Sequence, residues 1–488
     1  LLYRAADHAA DFLEGLDERP VQPDGTHETL YAALGGELPA AGEPAEQVID
    51  ELVAGTADGL LDSTGGAFFG WVIGGVLPAA LAADWLTSTW DQNTASYAHA
   101  PAQSVVEQVT GEWLINLLGL PSGASFAAVT GSQMGHVTAL AAARNGLLHR
   151  AGWDVSARGL FGAPAIQVIC SADRHASIDR ALRLLGFGTD AVHAVATGTS
   201  GQVELNALER ALVATTGAPT ILCLQAGDLN TGAFDPFAAA IDLARKRDDV
   251  WVHIDGAFGL WAAASRRHRE LTAGMERADS WVTDAHKMLN TPFDCGFAIV
   301  ADAAAHRSAT AMQASYMPPA AGAERDPMDW TPEWSRRSRA TPVYAALRSL
   351  GRDGVAALID ADCDNAAALV TGISALDGAE AVTFPVFNQG LIRFHDPDGS
   401  DRVRSDRSGR GLVDRDPADS DLSDLADDVF TDRVIARIQR DGQAWFGPST
   451  WRGMHVMRVS VCDWRTTPAH VERAITAVAA AIAAEVAA

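Results

Sequence analysis

A chain of 488 residues that contains only two lysines makes each ε-amine informative. Lys246 lies in a charged helix end, Ala-Arg-Lys-Arg-Asp-Asp, whereas Lys287 follows an apolar run and is preceded by His286. A primary amine in the second setting suits condensation with the aldehyde of pyridoxal phosphate as a Schiff base. Codon bias towards arginine also accounts for the scarcity, so scarcity alone assigns no role.

Other residues have types and spacing that fit the same chemistry. Asp255 ends the apolar run Val250-Trp-Val-His-Ile254 and precedes Gly-Ala. A carboxylate facing a pyridine nitrogen keeps it protonated, so the ring accepts electrons. An ordinary turn or cap aspartate is the other reading. Thr130-Gly-Ser-Gln-Met-Gly-His136 joins the run Phe126-Ala-Ala-Val129 to a helical stretch. Free N–H groups at such a helix start attract a phosphate, and Ser132 and Gln133 add donors. His175 follows a strand-like run, where an imidazole can stack on a flat ring, hold a carboxylate, move a proton or simply serve structure. The segment from Gln225 to Asp235, with Asp228 inside it, either lines a ring edge or is a plain strand-to-helix loop. Arg458 in Met457-Arg-Val-Ser460 suits a substrate carboxylate or a structural ion pair. Arg336, Arg337 and Arg339 read as interface or surface charges.

These residues need a scaffold that gathers strand ends. The strand candidates are 166–170, 220–224, 250–254, 280–283 and 297–300, with helical patterns at 177–185, 205–214 and 237–247. Short apolar runs alternating with helices predict a parallel sheet covered on both faces. Functional groups then collect at the carboxyl ends of its strands. Before this region, 1–16 and 44–61 read as helices, and 68–93 is rich in aromatic and small residues. After it, 381–387, 391–394 and 457–461 read as strands. Thr467-Pro468 opens a final helix with proline at its first position. The expected organisation is an N-terminal helical arm over 1–95, a large domain over 96–341 and a small domain over 342–488. Residues 396–428, dense in Asp, Arg, Ser and Gly, read as a solvated mobile insertion.

Composition narrows the partners. A formal net charge of -25 disfavours nucleic acid and anionic membrane surfaces. Five scattered cysteines fit a reducing compartment rather than a disulfide framework or zinc site. No signal-like segment opens the sequence, and the longest apolar stretches, 71–83 and 474–484, are too short to span a bilayer. A cytoplasmic protein with no membrane partner is expected.

Taken in order, the motifs resemble the group II pyridoxal-phosphate-dependent decarboxylases, which include aromatic-L-amino-acid decarboxylase and glutamate decarboxylase. The resemblance spans roughly 68–467. It rests on His253-Ile-Asp-Gly-Ala257, on Asp284-Ala-His-Lys287 with Phe293-Asp-Cys-Gly296, and on Ala226-Gly-Asp-Leu-Asn-Thr-Gly-Ala-Phe-Asp235. Trp334-Ser-Arg-Arg-Ser-Arg339 and Arg458-Val-Ser-Val-Cys462 support it. The resemblance implies an α/β, fold type I architecture: a mostly parallel central sheet with helices on both faces, an N-terminal helical arm and a smaller C-terminal α+β domain. It also implies an obligate homodimer with a shared active site. By position, Lys287 would carry the Schiff base, Asp255 would meet the pyridine nitrogen, and His175 would stack on the ring. Ser132, Gln133 and His286 would sit at the phosphate, and Ala257 would press on the opposite ring face. Asp228 and Asp284 complete the expected cofactor set.

The sequence departs from the family at Met288, where many members have tryptophan, at Gln133 for a small hydroxyl residue, and at Met134 for an acidic one. The proton-returning loop tyrosine would fall near Pro327, which is not tyrosine; either Tyr316, the nearest tyrosine, takes the role or the role is vacant. The expected activity is decarboxylation of an L-amino acid to an amine and CO2. Trp71, with Phe69, Trp85 and Trp90, either makes an aromatic-friendly wall or simply fills a core, and Arg458 is the expected carboxylate partner. The rivals are an oxidative aldehyde synthase, a carbon–carbon lyase and a pyridoxal-phosphate-binding protein without turnover.

Overall fold

The computed structural model describes residues 1–312, 324–397 and 417–488. It divides into two compact units. One comprises Gly74–Asp364 and Pro385–Gly390; the other comprises Leu1–Ile73, Asn365–Phe384 and Leu391–Ala488.

The first unit is built on seven strands: β1 (Ser125–Val129), β2 (Gln167–Ser171), β3 (Val192–Val195), β4 (Thr220–Gln225), β5 (Val250–Asp255), β6 (Ser280–Asp284) and β7 (Gly296–Val300). Their order is β1-β7-β6-β5-β4-β2-β3. The strands from β6 through β5, β4 and β2 to β3 pair in parallel, while β7 runs antiparallel to both β6 and β1. Only β7 is reversed, so the carboxyl ends of the other six reach one edge of the sheet. Every residue of β1, β4, β5, β6 and β7 is buried. That is why these runs read as continuously apolar rather than alternating. The helix Ser132–Arg150 covers one face; its Ala139, Leu140 and Leu147 pack with Val168, Trp251, Val282 and Val300.

The expected strands 166–170, 220–224, 250–254, 280–283 and 297–300 all appear, shifted by at most a residue or two at their ends. Residues 74–95, expected in the N-terminal arm, group with the large sheet: the Leu77 N–H donates to the Asn290 carbonyl (2.8 Å) and the Thr94 N–H to the Arg336 carbonyl (2.9 Å).

The second unit has a four-stranded sheet in the order β10-β11-β9-β8, with β8 Ala379–Thr383, β9 Gln389–Phe394, β10 Gly447–Trp451 and β11 Met454–Ser460. Its core joins Phe69, Phe394, Phe430, Val434, Phe446, Met457 and Val478. The strand expected over 381–387 ends at Thr383, because Phe384-Pro385 follows and proline cannot donate to a ladder. The solvated segment expected over 396–428 differs as well. Its residues 398–416 lie outside the described residues, and its last part opens the helix Pro417–Asp441. Within that helix Asp427 is buried and accepts from His395 (2.8 Å), and Asp428 pairs with Arg393 (3.0 Å). The closing helix, Pro468–Val486, starts as its sequence reads: Thr467 caps it and proline occupies the first turn.

Candidate active site

The site lies where the parallel strands end. Beyond β6 the chain makes a tight turn through Ala285, His286 and Lys287. Asn290 closes it in a left-handed conformation (φ 54°), with its N–H donating to the Lys287 carbonyl (2.9 Å). Gly74 passes so close that a Cβ there would lie 2.1 Å from the Lys287 carbonyl oxygen. The Lys287 ammonium pairs with Asp284 Oδ2 at 3.3 Å and stands 5.9 Å from the Phe258 ring centroid. Phe258 in turn presses on Gly227, which has φ 92° and no room for a Cβ.

Asp284 joins this lysine to the start of the Ser132–Arg150 helix, since its Oδ1 accepts the Ser132 N–H at 2.6 Å. A carboxylate at a helix N-terminus is favoured by the dipole. The Ser132 hydroxyl is buried and has no hydrogen-bond partner among the described residues. Gln133 donates to the Ser177 carbonyl at 3.3 Å. His286 Nδ1 accepts the Cys295 N–H (3.2 Å), its ring stacks on Phe293 (4.4 Å), and its Nε2 lies 3.7 Å from Asp284. Burial, then Lys287, lowers the His286 pKa against the pull of Asp284, so the imidazole is neutral at pH 7. The reversed strand β7 supplies this contact, because Cys295 stands at its entry to the edge.

Asp255 ends β5. Its Oδ1 accepts the Ala257 N–H (3.2 Å), and its Oδ2 lies 3.4 Å from Nε2 of the fully buried His136. Burial works to raise this carboxyl. The attraction and hydrogen bonding of His136, followed by His175 and the Ala257 N–H, outweigh burial and hold it well below the usual carboxylate range. Asp255 is therefore a buried anion. Ala257 also fixes the next strand end, its carbonyl accepting the Asp284 N–H at 2.9 Å. His175 caps the helix Ala176–Leu184: Nδ1 faces the Ser177 N–H (3.2 Å) and hydroxyl (2.7 Å). Asp228 staples its own loop, with Oδ1 accepting from the Asn230 and Thr231 N–H groups (2.9 and 2.7 Å), while Oδ2 is buried without a partner among the described residues. Burial raises its pKa.

The segment after β1 is held from below. Arg336, expected at an interface or the surface, is buried instead. It pairs with the buried Glu107 (2.9 Å) and donates to the Ala128 carbonyl of β1 (2.5 Å). Its charge is only partly balanced there, because Arg325 shares the same Glu107 carboxylate at 3.3 Å, and the Ala128 carbonyl adds an acceptor. Arg339 pairs with Asp294 (2.8 Å), just before Cys295.

The edge thus brings together Ser132, Gln133, His175, Asp228, Asp255, Ala257, Asp284, His286 and Lys287. Tyr316 lies outside the described residues. Trp71 and Arg458 belong to the other unit. There Trp71 is half exposed and packs on Trp445 (4.3 Å), and Arg458 is buried in β11. Phe69, expected in an aromatic wall, is wholly buried against Phe446 (5.1 Å) and fills a core. His136, beside Asp255, was missed by sequence reasoning. Its signal is a period of two: His253 and Asp255 alternate on one face of β5, the face this helix covers.

An aldehyde-bearing, anionic, aromatic cofactor fits these residues. They offer one amine, an unpartnered buried hydroxyl at a helix N-terminus and a buried anion at a neighbouring strand end. Residues 28–395 match the pyridoxal-dependent decarboxylase conserved domain, and the chain belongs to that family. It is a pyridoxal phosphate enzyme of the carboxy-lyase type. Among its relatives, L-2,4-diaminobutyrate decarboxylase of Rhizobium meliloti (strain 1021) is 31% identical over 321 residues, 64% of this chain and 62% of that protein. Tryptophan decarboxylase 1 of Oryza sativa subsp. japonica is 25% identical over 97% of this chain and 91% of its own length. The fold is that of the Oryza sativa TDC structure with PLP and tryptamine (TM-score 0.87, 22% identity, 99% of this chain and 97% of that one).

Proposed function

We propose that this chain decarboxylates an L-amino acid, with the roles divided along the strand edge. Bound pyridoxal phosphate supplies an electron sink for the bond to the departing carboxylate. Lys287 would be its covalent anchor, and Asp284 holds the Lys287 side-chain nitrogen in place at 3.3 Å. Asp255 would face the ring nitrogen, and its buried carboxylate at the end of β5, 3.4 Å from His136 Nε2, is the observation that carries the reading. His175 would cover one ring face and Ala257 the other. Ser132, Gln133 and the neutral His286 would meet the phosphate. Asp228, whose Oδ2 has no partner among the described residues, would approach the ring edge. Tyr316 would return the proton to the carbon left by CO2.

The working form is a homodimer in the cytoplasm. The helices Leu2–Glu14, His27–Leu34 and Ala45–Thr56 bury none of their residues, and Leu2, Tyr3, Tyr31, Leu34 and Leu52 face solvent. Such apolar exposure fits a surface that a second copy covers. All five cysteines are free, and no helix among the described residues is long and apolar enough to cross a membrane.

The test is an amino-acid panel assayed together for CO2, amine, aldehyde and peroxide. Equal amine and CO2 are expected. Stoichiometric aldehyde and peroxide would overturn simple decarboxylation, and so would substrate cleavage without CO2.

A further inference from the structure

Behind Asp255 stands a buried polar chain that no cofactor contact explains. His136 Nε2 lies 3.4 Å from Asp255 Oδ2, and apart from that carboxylate it has no partner among the described residues. His136 Nδ1 lies 3.0 Å from His253 Nε2, and the two rings meet edge to face. His253 Nδ1 lies 2.9 Å from the Ser280 hydroxyl, and that oxygen also accepts the Trp251 Nε1–H at 2.9 Å. None of these four side chains has appreciable solvent contact.

The chain has a direction that geometry restricts. Trp251 has only a donor to give, so the Ser280 oxygen must accept from it. In one arrangement the Ser280 hydrogen points to His253 Nδ1. His253 then donates through Nε2 to His136 Nδ1, and the remaining His136 proton is on Nε2. In the other, His253 donates to Ser280 and accepts from His136 Nδ1. A bare His136 Nε2 would then face a carboxylate oxygen in a low-dielectric interior, lone pair to lone pair, so this nitrogen must again carry a proton. Both arrangements aim an N–H at Asp255 from the side away from the open edge. Burial first, then His136, drives the His253 pKa down to about 3, so His253 takes part as a neutral link.

We infer that His136 is a positioning residue for Asp255: its Nε2–H, fixed from behind by His253, Ser280 and Trp251, holds the carboxylate in one orientation and sustains its charge towards the cofactor ring. This rests on the assignment of Asp255 to the ring nitrogen. The groups that face Asp255 are His136, His175, the Ala257 N–H and the neutral Cys223 thiol; His175 is held by Ser177 at a helix start, whereas His136 is backed by a fully buried chain of side chains.

Full-length apo-protein carrying His136→Leu, His136→Gln or Asp255→Asn is titrated with pyridoxal phosphate. The dissociation constant and the absorption band of the bound cofactor are both recorded. Glutamine places an amide N–H close to the imidazole Nε2 position; leucine does not. Loss of a hydrogen bond to a buried charge predicts that His136→Leu weakens binding about ten- to a hundredfold and moves the band. His136→Gln should recover most of both. Wild-type affinity and band in His136→Leu would overturn the inference, as would a glutamine variant no better than leucine. If Asp255→Asn itself changes neither readout, the Asp255 assignment fails instead. Should the leucine variant not fold, 15N spectra of histidine-labelled wild-type apo-protein decide: a protonated His136 Nε2 supports the inference and a bare one overturns it.

Discussion

Asp255 and Asp235 are both buried near neighbouring strand ends, yet their pKa values are displaced in opposite directions. Asp235 accepts the Val203 N–H (2.9 Å) and the Gln225 N–H (2.8 Å) and meets no cation. Burial, outweighing those two N–H groups, pushes its pKa up to about 7. Asp255 accepts one N–H and faces two imidazoles, and it is held low. Desolvation acts on both, so the sign is decided by what stands opposite. A loop staple can work as a carboxylic acid. A ring-nitrogen partner cannot, and this chain gives it His136.

The contrast can be broken at several points. The largest effect is expected from Asp255→Ala, which removes the fixed charge from the ring. Turnover should fall on the order of 10²–10³-fold, the range seen when one preorganised electrostatic group is removed. Asp235→Asn should leave turnover within a few-fold of wild type, because its carboxylate faces only loop N–H groups. Comparable losses in both variants, measured as kcat, would erase the distinction.

The next effect concerns pH. The Asp235 pKa is raised in the folded state, so between roughly pH 4 and 7 the unfolded chain loses its proton while the native state keeps it. Its contribution is complete below the unfolded pKa and is lost as pH rises through the folded one, by up to a few kcal/mol. Asp463, pushed up to about 7, and Asp62, to about 6, act in the same direction in the other unit. Asp255 has the opposite sign. Its contribution is present above the unfolded pKa and is lost only as pH falls through the depressed folded value. Buried neutral His253 and His306, with pKa values pushed down to about 3, act the other way below about pH 6.5. The difference is therefore the readout: from pH 5 to 7 the melting temperature of Asp235→Asn apo-protein should fall less, or rise more, than that of wild type, while Asp255→Asn keeps the wild-type slope. Parallel curves for wild type and Asp235→Asn would remove Asp235 from the account.

The smallest effect is expected at the helix start. Ser132→Ala removes a buried hydroxyl that has no protein partner, so apo stability should change little. Affinity for pyridoxal phosphate should fall about tenfold, the scale of one hydrogen bond to a charged group. A variant that melts lower yet binds normally would make Ser132 a structural residue.

The large sheet was legible because its strands are buried on both faces and interrupted by helices. β3 escaped because Val192-His-Ala-Val195 is short and half-buried at the sheet edge. β10 escaped because Gly447-Pro-Ser-Thr-Trp451 reads as a turn until β11 pairs with it. Lys287 and Asp255 were legible because few side chains can do their chemistry and both follow apolar runs. The role of His136 was hidden because its partner comes from a strand far along the chain, and the turn that holds it already had a reading as an anion site. Arg336 misled for a related reason: a charged cluster looks solvated until Glu107, 229 residues away, is placed against it.

The near-absence of lysine has a practical consequence for anyone handling this molecule. A reagent that acylates ε-amines meets two targets. Lys246, with 62% of its side chain exposed and a surface partner in Glu209, will be tagged whatever the state of the site, while Lys287 is reachable only when its nitrogen is vacant. The ratio of the two tagged peptides in a mass spectrum therefore reads out occupancy directly, and the chain carries its own internal standard.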